Sequence, residues 1–440
     1  MNIIKKHSQI IPNLINICSA LFVLYFSYVN PAYSLDDIEN EWGGHIKVNG
    51  SAVYYDDHTY YAQSDEEEGI DEFANFRLKD KLILSDQLYF EAHYDASVEG
   101  GDTYEKTILL KQQFPVFFGK FSGFVPSDEN QLFDLTKTIK ETDDYITWHR
   151  LDRLLVSYKP FWGDIIAGRQ AVTWGNGLVF NPMDLFSPFS PSDTAREYKN
   201  GNDLVSIRIN SEAFGEPEFL YIPRKENDSD NIKAEQSSFA GKMHIIAGEI
   251  ETDILFARHF DENIAGAGVS GILFETAWRS DLVYSTLDNN NDKHGFFTYI
   301  ANIDYSWVWK GKNLYGLVEY YHNGLGEKDS SDAFTDPEIA DRLTRGEIFT
   351  LGRDYISAGI QLETHPLVNV SLNIISNMND SSGLIQPRVV WSMTQNSSLD
   401  FGINKTYGKQ GTEFGGISVP GLPYDFKTPE NLYVILSYYF

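Results

Sequence analysis

Eight residues in adjoining stretches of the chain carry the side chains best placed to act on a solute. Arg153, Arg169 and Arg208 lie on short alternating stretches, and Trp174, Asp184, Asp193, Arg196 and Glu197 lie in the run WGNGLVFNPMDLFSPFSPSDTAREYK at residues 174–199. Cations on a wall facing carboxylates on a stiff loop would set up a transverse field, orienting polar solutes and excluding apolar ones. The same charges could instead pin the loop to the wall, because buried charges need partners. The two roles are compatible. Bond-making chemistry is not expected: His93, His149, His244 and His259 sit in no GxSxG or HExxH context, and there is no CxxCH, P-loop or dinucleotide fingerprint. The acidic runs at 65–68 and 329–341 lack the spacing of a calcium-binding loop and read as solvated faces, so no metal, no cofactor and no enzymatic activity is assigned.

These side chains need a scaffold. Residues 174–199 fit neither a strand nor a surface loop: Pro182, Pro188 and Pro191 interrupt any regular element, while Trp174, Phe180, Met183, Leu185, Phe186 and Phe189 are too apolar to rest in water. The flanking sequence alternates with a period of two, so the segment is expected to fold into the bore of a β-barrel, with 173–200 acting as a constriction or plug. Asp184 is held between Pro182 and Pro188, and Arg196 follows the apolar cluster, within reach of the wall or of a solute. On the preceding strand Thr147, His149, Arg153 and Ser157 oppose Ile146, Trp148, Leu154, Val156 and Tyr158. On the following one Ser206 and Arg208 oppose Val205, Ile207 and Ile209, so Arg153 and Arg208 are expected to face the bore. Arg169 shares a phase with Ile165 and Ala167, but a charge facing mid-bilayer lipid costs roughly 2–4 kcal/mol, which places it inward or near a rim.

Alternation runs through most of the chain: Ile46, Val48, Gly50, Ala52 and Tyr54; Leu88, Phe90, Ala92 and Tyr94; Tyr299, Ala301, Ile303, Tyr305, Trp307 and Trp309. Connections alternate between long acidic stretches and tight turns, as in outer-membrane barrels. Gly266-Ala267-Gly268 reads as a strand start, and the segments at 117–123, 216–222 and near Trp278 are broken or short. The fold expected is an all-β transmembrane antiparallel β-barrel of about 18 strands, with 16 to 20 possible. An open edge cannot be left in lipid, so the strand starting near Ile46 should pair with residues 432–440.

Residues 1–34 read as a signal peptide: Lys5 and Lys6 precede an apolar run, and Ala32-Tyr33-Ser34 supplies a cleavage context before Leu35. The single Cys18 lies inside it, leaving no thiol for residues 35–440, which form one barrel domain. Removing Lys5 and Lys6 with no acid takes the net charge from −28 to −30, which argues against nucleic acid as a partner. An aromatic content of 14 % in such an acidic exported chain suits a barrel with a lipid-facing girdle.

The last strand places Leu432, Val434, Leu436, Tyr438 and Phe440 on one face and resembles the closing strand of bacterial outer-membrane barrels, whose terminal Phe is read by the assembly machinery. Gly168-Arg169-Gln170, Trp174-Gly175, Asn181-Pro182, Asp184-Leu185-Phe186 and Pro188 together resemble a motif of porin-like Gram-negative outer-membrane proteins of poorly characterised function. The resemblance implies a barrel with a structured internal segment and a transport role, and names no solute. The expectation is a passive channel for small hydrophilic solutes with a cation bias, sited in the outer membrane with both termini periplasmic. Its partners would be outer-membrane lipid, periplasmic chaperones, the barrel assembly machinery and a small polar solute. The alternatives are a plugged surface barrel that binds a macromolecular partner, and a polysaccharide export channel.

Overall fold

The computed structural model describes residues 38–62, 67–114, 124–193, 196–211, 215–226, 231–287, 294–419 and 422–440. The leader at 1–34, the broken segment at 117–123 and much of the 65–68 acidic run lie outside the described residues.

Eighteen antiparallel strands make one closed wall: β1 Glu39–Tyr54, β2 Glu68–Ser85, β3 Leu88–Gly101, β4 Tyr145–Tyr158, β5 Gly163–Gln170, β6 Asn202–Ile209, β7 Glu216–Ile222, β8 Ser238–Ala247, β9 Ile250–His259, β10 Glu262–Leu273, β11 Thr276–Thr286, β12 Gly295–Trp309, β13 Lys312–Asn323, β14 Asp354–His365, β15 Val368–Asn377, β16 Ser382–Ser392, β17 Ser397–Tyr407 and β18 Glu430–Tyr439. Each pairs with its neighbours in sequence. Strand β18 closes the ring on β1 with His45 opposite Tyr439 and Tyr54 opposite Glu430. A closed antiparallel ring leaves no edge unpaired, which is what lets a sheet stand in hydrocarbon. The expected partnership of the first and last strands holds, residues 216–222 and the region of Trp278 are wall strands, and Gly266 to Gly268 lie in mid-strand rather than at a strand start.

The outer surface is apolar because every second residue is: Ile254, Val318, Ile356, Ile360, Val434 and Leu436 are exposed, with Trp42, Trp307, Trp309, Trp391 and Tyr438 toward strand ends. Two-residue turns such as Asp86-Gln87 and Lys310-Gly311 sit at one end with the N-terminus of β1 and the C-terminus of β18. The long connections sit at the other. Two tight connections break that asymmetry, Phe260-Asp261 and residues 378–381, both at the long-loop end. Residues 324–353 are no loose acidic loop: they hold the helices α2 Ser330–Thr335 and α3 Pro337–Arg345, whose Ala333 and Ile339 are buried against Ile417 and Val419. Helix α1 Asp102–Gln113 opens the connection from β3 to β4.

Strands β5, β6 and β7 are short. Arg169 pairs with Leu154, so β5 leaves the wall at about half the height of β4. The upper edge of β4 is covered instead by the short strand Thr136–Glu141, contributed by the preceding connection. Residues 171–201 therefore depart from the wall at mid-depth, already inside the ring.

Candidate functional site

Residues 174–199 touch wall strands on opposite sides of the barrel, which only a chain inside the ring can do. Trp174 Nε1 donates to Glu218 on β7 at 3.2 Å. The backbone N–H and side-chain amide of Asn176 both donate to Asp281 on β11 at 2.7 Å. The N–H groups of Leu178 and Phe180 donate to Glu319 on β13 at 2.7 and 2.6 Å, with Val179 N–H at 3.2 Å. Asn302 donates to the same carboxylate at 3.1 Å. Glu319 is fully buried, and it is kept there by donors alone, the arrangement a buried carboxylate requires. Farther along, Gln386 on β16 donates to the Ser192 carbonyl at 2.8 Å. Glu197 accepts from Lys47 on β1 and from Tyr439 on β18, each at 2.6 Å.

Apolar packing follows the same path. Trp174, Met183 and Phe186 join Leu204, Leu220, Ala240, Leu255, Ile264 and Val283 in one buried cluster. Phe180 stacks on Tyr321 with centroids 4.3 Å apart and joins Ile300, Tyr355 and Ile375. Strands β6 to β11 thus each turn an apolar side chain inward, where it meets protein rather than water. Gly268 permits the closest approach: a Cβ there would lie 2.5 Å from Asp281 Oδ1 and 2.7 Å from Asn176 Nδ2.

Each expected site residue has a definite place. Asp184 is buried in a salt bridge with Lys199. Arg196 bonds the Tyr198 carbonyl at 3.0 Å and the Asn200 side chain at 2.5 Å, and its N–H donates to Asp193 at 3.1 Å. Arg208 is half exposed, 3.6 Å from Glu218. Arg169 has no exposed side-chain surface: Nε meets Asp203 at 2.8 Å and Nη1 meets Asp128 at 2.9 Å. Arg153 donates to Asp152 at 2.6 Å and to the Lys199 carbonyl at 2.9 Å.

The reading of β4 needs correction. Its pairing with β3 slips between His93 and Tyr94, opposite Arg153 and Leu151, leaving Asp152 as an extra residue. A bulge reverses the side-chain phase beyond it. Above it Trp148, Arg150 and Asp152 are buried and line the interior, while His149, expected inside, packs against Tyr94 with ring centroids 5.6 Å apart. Below it Arg153 and Ser157 keep the expected phase. The bulge is thus what lets Asp152 and Arg153, neighbours in sequence, both reach the interior.

Around that bulge runs an alternating chain of charge that sequence reading did not single out. Arg77 on β2 donates to Asp95 on β3 at 3.0 Å and to Asp152 at 2.7 Å. Arg150 lies 3.7 Å from Asp152 and 3.8 Å from Asp128. Asp128 continues to Arg169 and Asp203. Arg77 was legible as an inner-face residue, opposite Phe76 and Leu78. Its partners come from strands remote in sequence. Beside this chain lies a cavity of about 560 Å³ lined by β1 to β4 and by Asp193, Arg196, Glu197, Tyr198 and Asn200. Phe124, Val125 and Pro126 of the β3–β4 connection also line it, so a second connection reaches inside.

At the long-loop end two carboxylates tie the connections together, with opposite titration behaviour. Burial alone would raise Glu347, but the hydrogen bond and charge of His259, with Arg345 and Arg342, hold it well below the ordinary range. Glu413 is pushed up to about 7 by burial, against hydrogen bonds from Tyr355, Leu351 N–H and Asn377.

No protein-family model and no curated protein matches the sequence. Solved structures do. Pseudomonas aeruginosa OccK9 (OpdG) is similar over 92 % of this chain and 98 % of its own, with 9 % identity and a TM-score of 0.55. Acinetobacter baumannii OccAB2 is similar over 90 % of this chain and 98 % of its own, with 10 % identity and a TM-score of 0.50. Escherichia coli Wzi, described as an outer-membrane protein of group 1 capsule assembly and a carbohydrate-binding β-barrel, is similar over 89 % of this chain and 83 % of its own, with 8 % identity and a TM-score of 0.50. At such identities the likeness is one of fold: the chain is a closed antiparallel barrel of 18 strands with the architecture of Gram-negative outer-membrane porins.

Proposed function

We propose that the protein is an outer-membrane channel for passive diffusion of small hydrophilic solutes, with residues 174–199 as its constriction and both termini in the periplasm. The observation that carries this reading is the segment itself, bound across the interior of an apolar-faced barrel yet leaving a polar cavity of about 560 Å³ beside it. Full packing of the interior would have suited a plug; a cavity lined by charge and amide, left beside the segment, suits a narrow, selective pore. The likeness to the Occ barrels supports the architecture of such a channel. Recording from the purified chain in planar lipid bilayers tests the proposal. Discrete conductance steps that grow with salt concentration are expected, and a correctly folded barrel that stays silent overturns it in favour of a surface-binding barrel.

A further inference from the structure

A second, smaller cavity of about 180 Å³ adjoins the first, and Phe73, Glu99 and Phe124 line both. Glu99 on β3 stands directly opposite Phe73 on β2, so the two side chains share a face, at the junction of the cavities. Among the described residues Glu99 has neither a counter-ion nor a hydrogen-bond partner, and the charge that acts on it is that of another acid, Asp71. Asp71 and Glu72 line the smaller cavity with it. The basic side chains, Arg196 among them, line the larger cavity alone. An acid shut in without a cation is costly, and a ligand that brings the cation removes that cost.

Which cation fits follows from the rest of the lining. A metal ion would need converging ligands, roughly six to eight oxygens for calcium, and no group of His, Asp or Glu among the described residues is spaced to hold one. The remaining wall is aromatic instead. Phe73, Phe124 and Tyr104 line the smaller cavity, and the rings of Tyr104 and Phe124 meet at 51° with centroids 4.7 Å apart, forming a corner. Ring faces attract a cation, most strongly one that is stripped of water. A quaternary ammonium group carries its charge beneath methyl groups, donates no N–H hydrogen bond and needs no acceptor from the wall beyond the field of a carboxylate. The volume lies below the roughly 300 Å³ at which whole small-ligand sites begin, which leaves room for such a head group.

We infer that the smaller cavity is a binding site for a quaternary ammonium group, held between Glu99 and the rings of Phe73 and Phe124. The ligand is argued from these side chains; only the site's place on a permeation path rests on the channel reading. Calorimetric titration of the whole detergent-solubilised protein reads binding whether or not the bore conducts. The probes are choline, its neutral tert-butyl analogue, which keeps the shape without the charge, and ethanolamine, which keeps the charge without the methyl groups. Choline is expected to bind, and each of the other two to bind roughly tenfold more weakly. Glu99→Gln should weaken choline binding roughly tenfold by removing the charge, and Phe124→Leu roughly threefold, the scale of one cation–π contact. Asp86→Asn, exposed in the turn at the opposite end of β3, should leave that affinity as it is, and thermal unfolding midpoints check that each variant folds. Absence of choline binding, equal binding of the neutral analogue or of ethanolamine, or indifference to both Glu99→Gln and Phe124→Leu overturns the inference. A silent barrel that still binds choline removes the channel reading and keeps the site; a conducting barrel that does not bind choline does the reverse.

Discussion

At the scale of single residues, the carboxylates that hold the inner segment matter more than the arginines that first draw attention. Glu319 accepts three successive backbone N–H groups, those of Leu178, Val179 and Phe180. Replacing it by Ala leaves these donors buried without an acceptor, at a cost of roughly 1–3 kcal/mol each. Glu319→Ala is therefore expected to free the turn at 178–180, seen as a lower thermal midpoint with larger and noisier single-channel conductance. Unchanged recordings from a folded variant would place that turn off the permeation path. Part of this was readable beforehand: Val318 and Tyr320 face outward, so Glu319 had to face in. What the alternation could not say is that the acid would meet backbone rather than water, because its donors belong to a segment about 140 residues away in sequence. The charges of residues 174–199 were visible, yet Asp184 with Lys199 and Arg196 with Asn200 turn out to be paired within or beside their own stretch, while Glu197 reaches a distant strand by its salt bridge to Lys47.

At the scale of elements, period-two alternation located the strands well and failed where geometry departs from it. The bulge at Asp152 adds one residue without any Gly or Pro to mark it, so the phase of upper β4 was inverted. Connections were harder still, since helices α2 and α3 owe their place to burial of Ala333 and Ile339 against residues 417–419. The two acids that bind these connections should respond oppositely to pH. Glu347 is depressed, so its contribution is present above the ordinary value of 4.5 and lost as pH falls through its lower folded value. Glu413 is raised, so its contribution is complete below 4.5 and lost as pH rises through about 7. Glu413→Gln, which mimics the protonated acid, is expected to flatten the decline in thermal midpoint between pH 5 and pH 8. Glu347→Gln should lower the midpoint at pH 7, because it takes the carboxylate from Arg345 and leaves Arg342 with Glu262 alone, the usual cost of breaking a buried ion pair being about 3–5 kcal/mol. Curves of equal slope for Glu413→Gln and the parent would show that Glu413 does not titrate in the folded loops.

At the scale of the whole molecule, closure and sidedness follow from one arithmetic fact. An even number of antiparallel strands brings the start of β1 and the end of β18 to the same end, and with them the two-residue turns. The long connections, rich in acids, collect at the other end, where Ala333 of α2 and Ile339 of α3 pack with Ile417, Val419, Leu422 and Phe426 into a cap. A barrel delivered from the periplasm is expected to keep its short turns there and its long loops outside. A protease site inserted between Lys328 and Asp329, both exposed just before α2, should be cut when intact cells are treated from outside. The same site inserted after Gly311, in the turn joining β12 to β13, should be cut only after the outer membrane is opened. Cleavage at Gly311 alone would invert the barrel, place the α2–α3 cap in the periplasm, and turn residues 174–199 into a segment entered from within. The distinction reaches the permeation path as well. Strand β5 ends at Gln170, and the segment leaves the wall at mid-depth, so its two faces look to different ends of the barrel: the cavity lined by Asp193, Arg196, Glu197, Tyr198 and Asn200 on one side, and Arg208 with Glu218 near the short turns on the other. With the long loops outside, the proposed path runs from that cavity to the half-exposed Arg208, and Arg208→Gln should raise cation preference in reversal-potential measurements by removing the cation at that inner mouth.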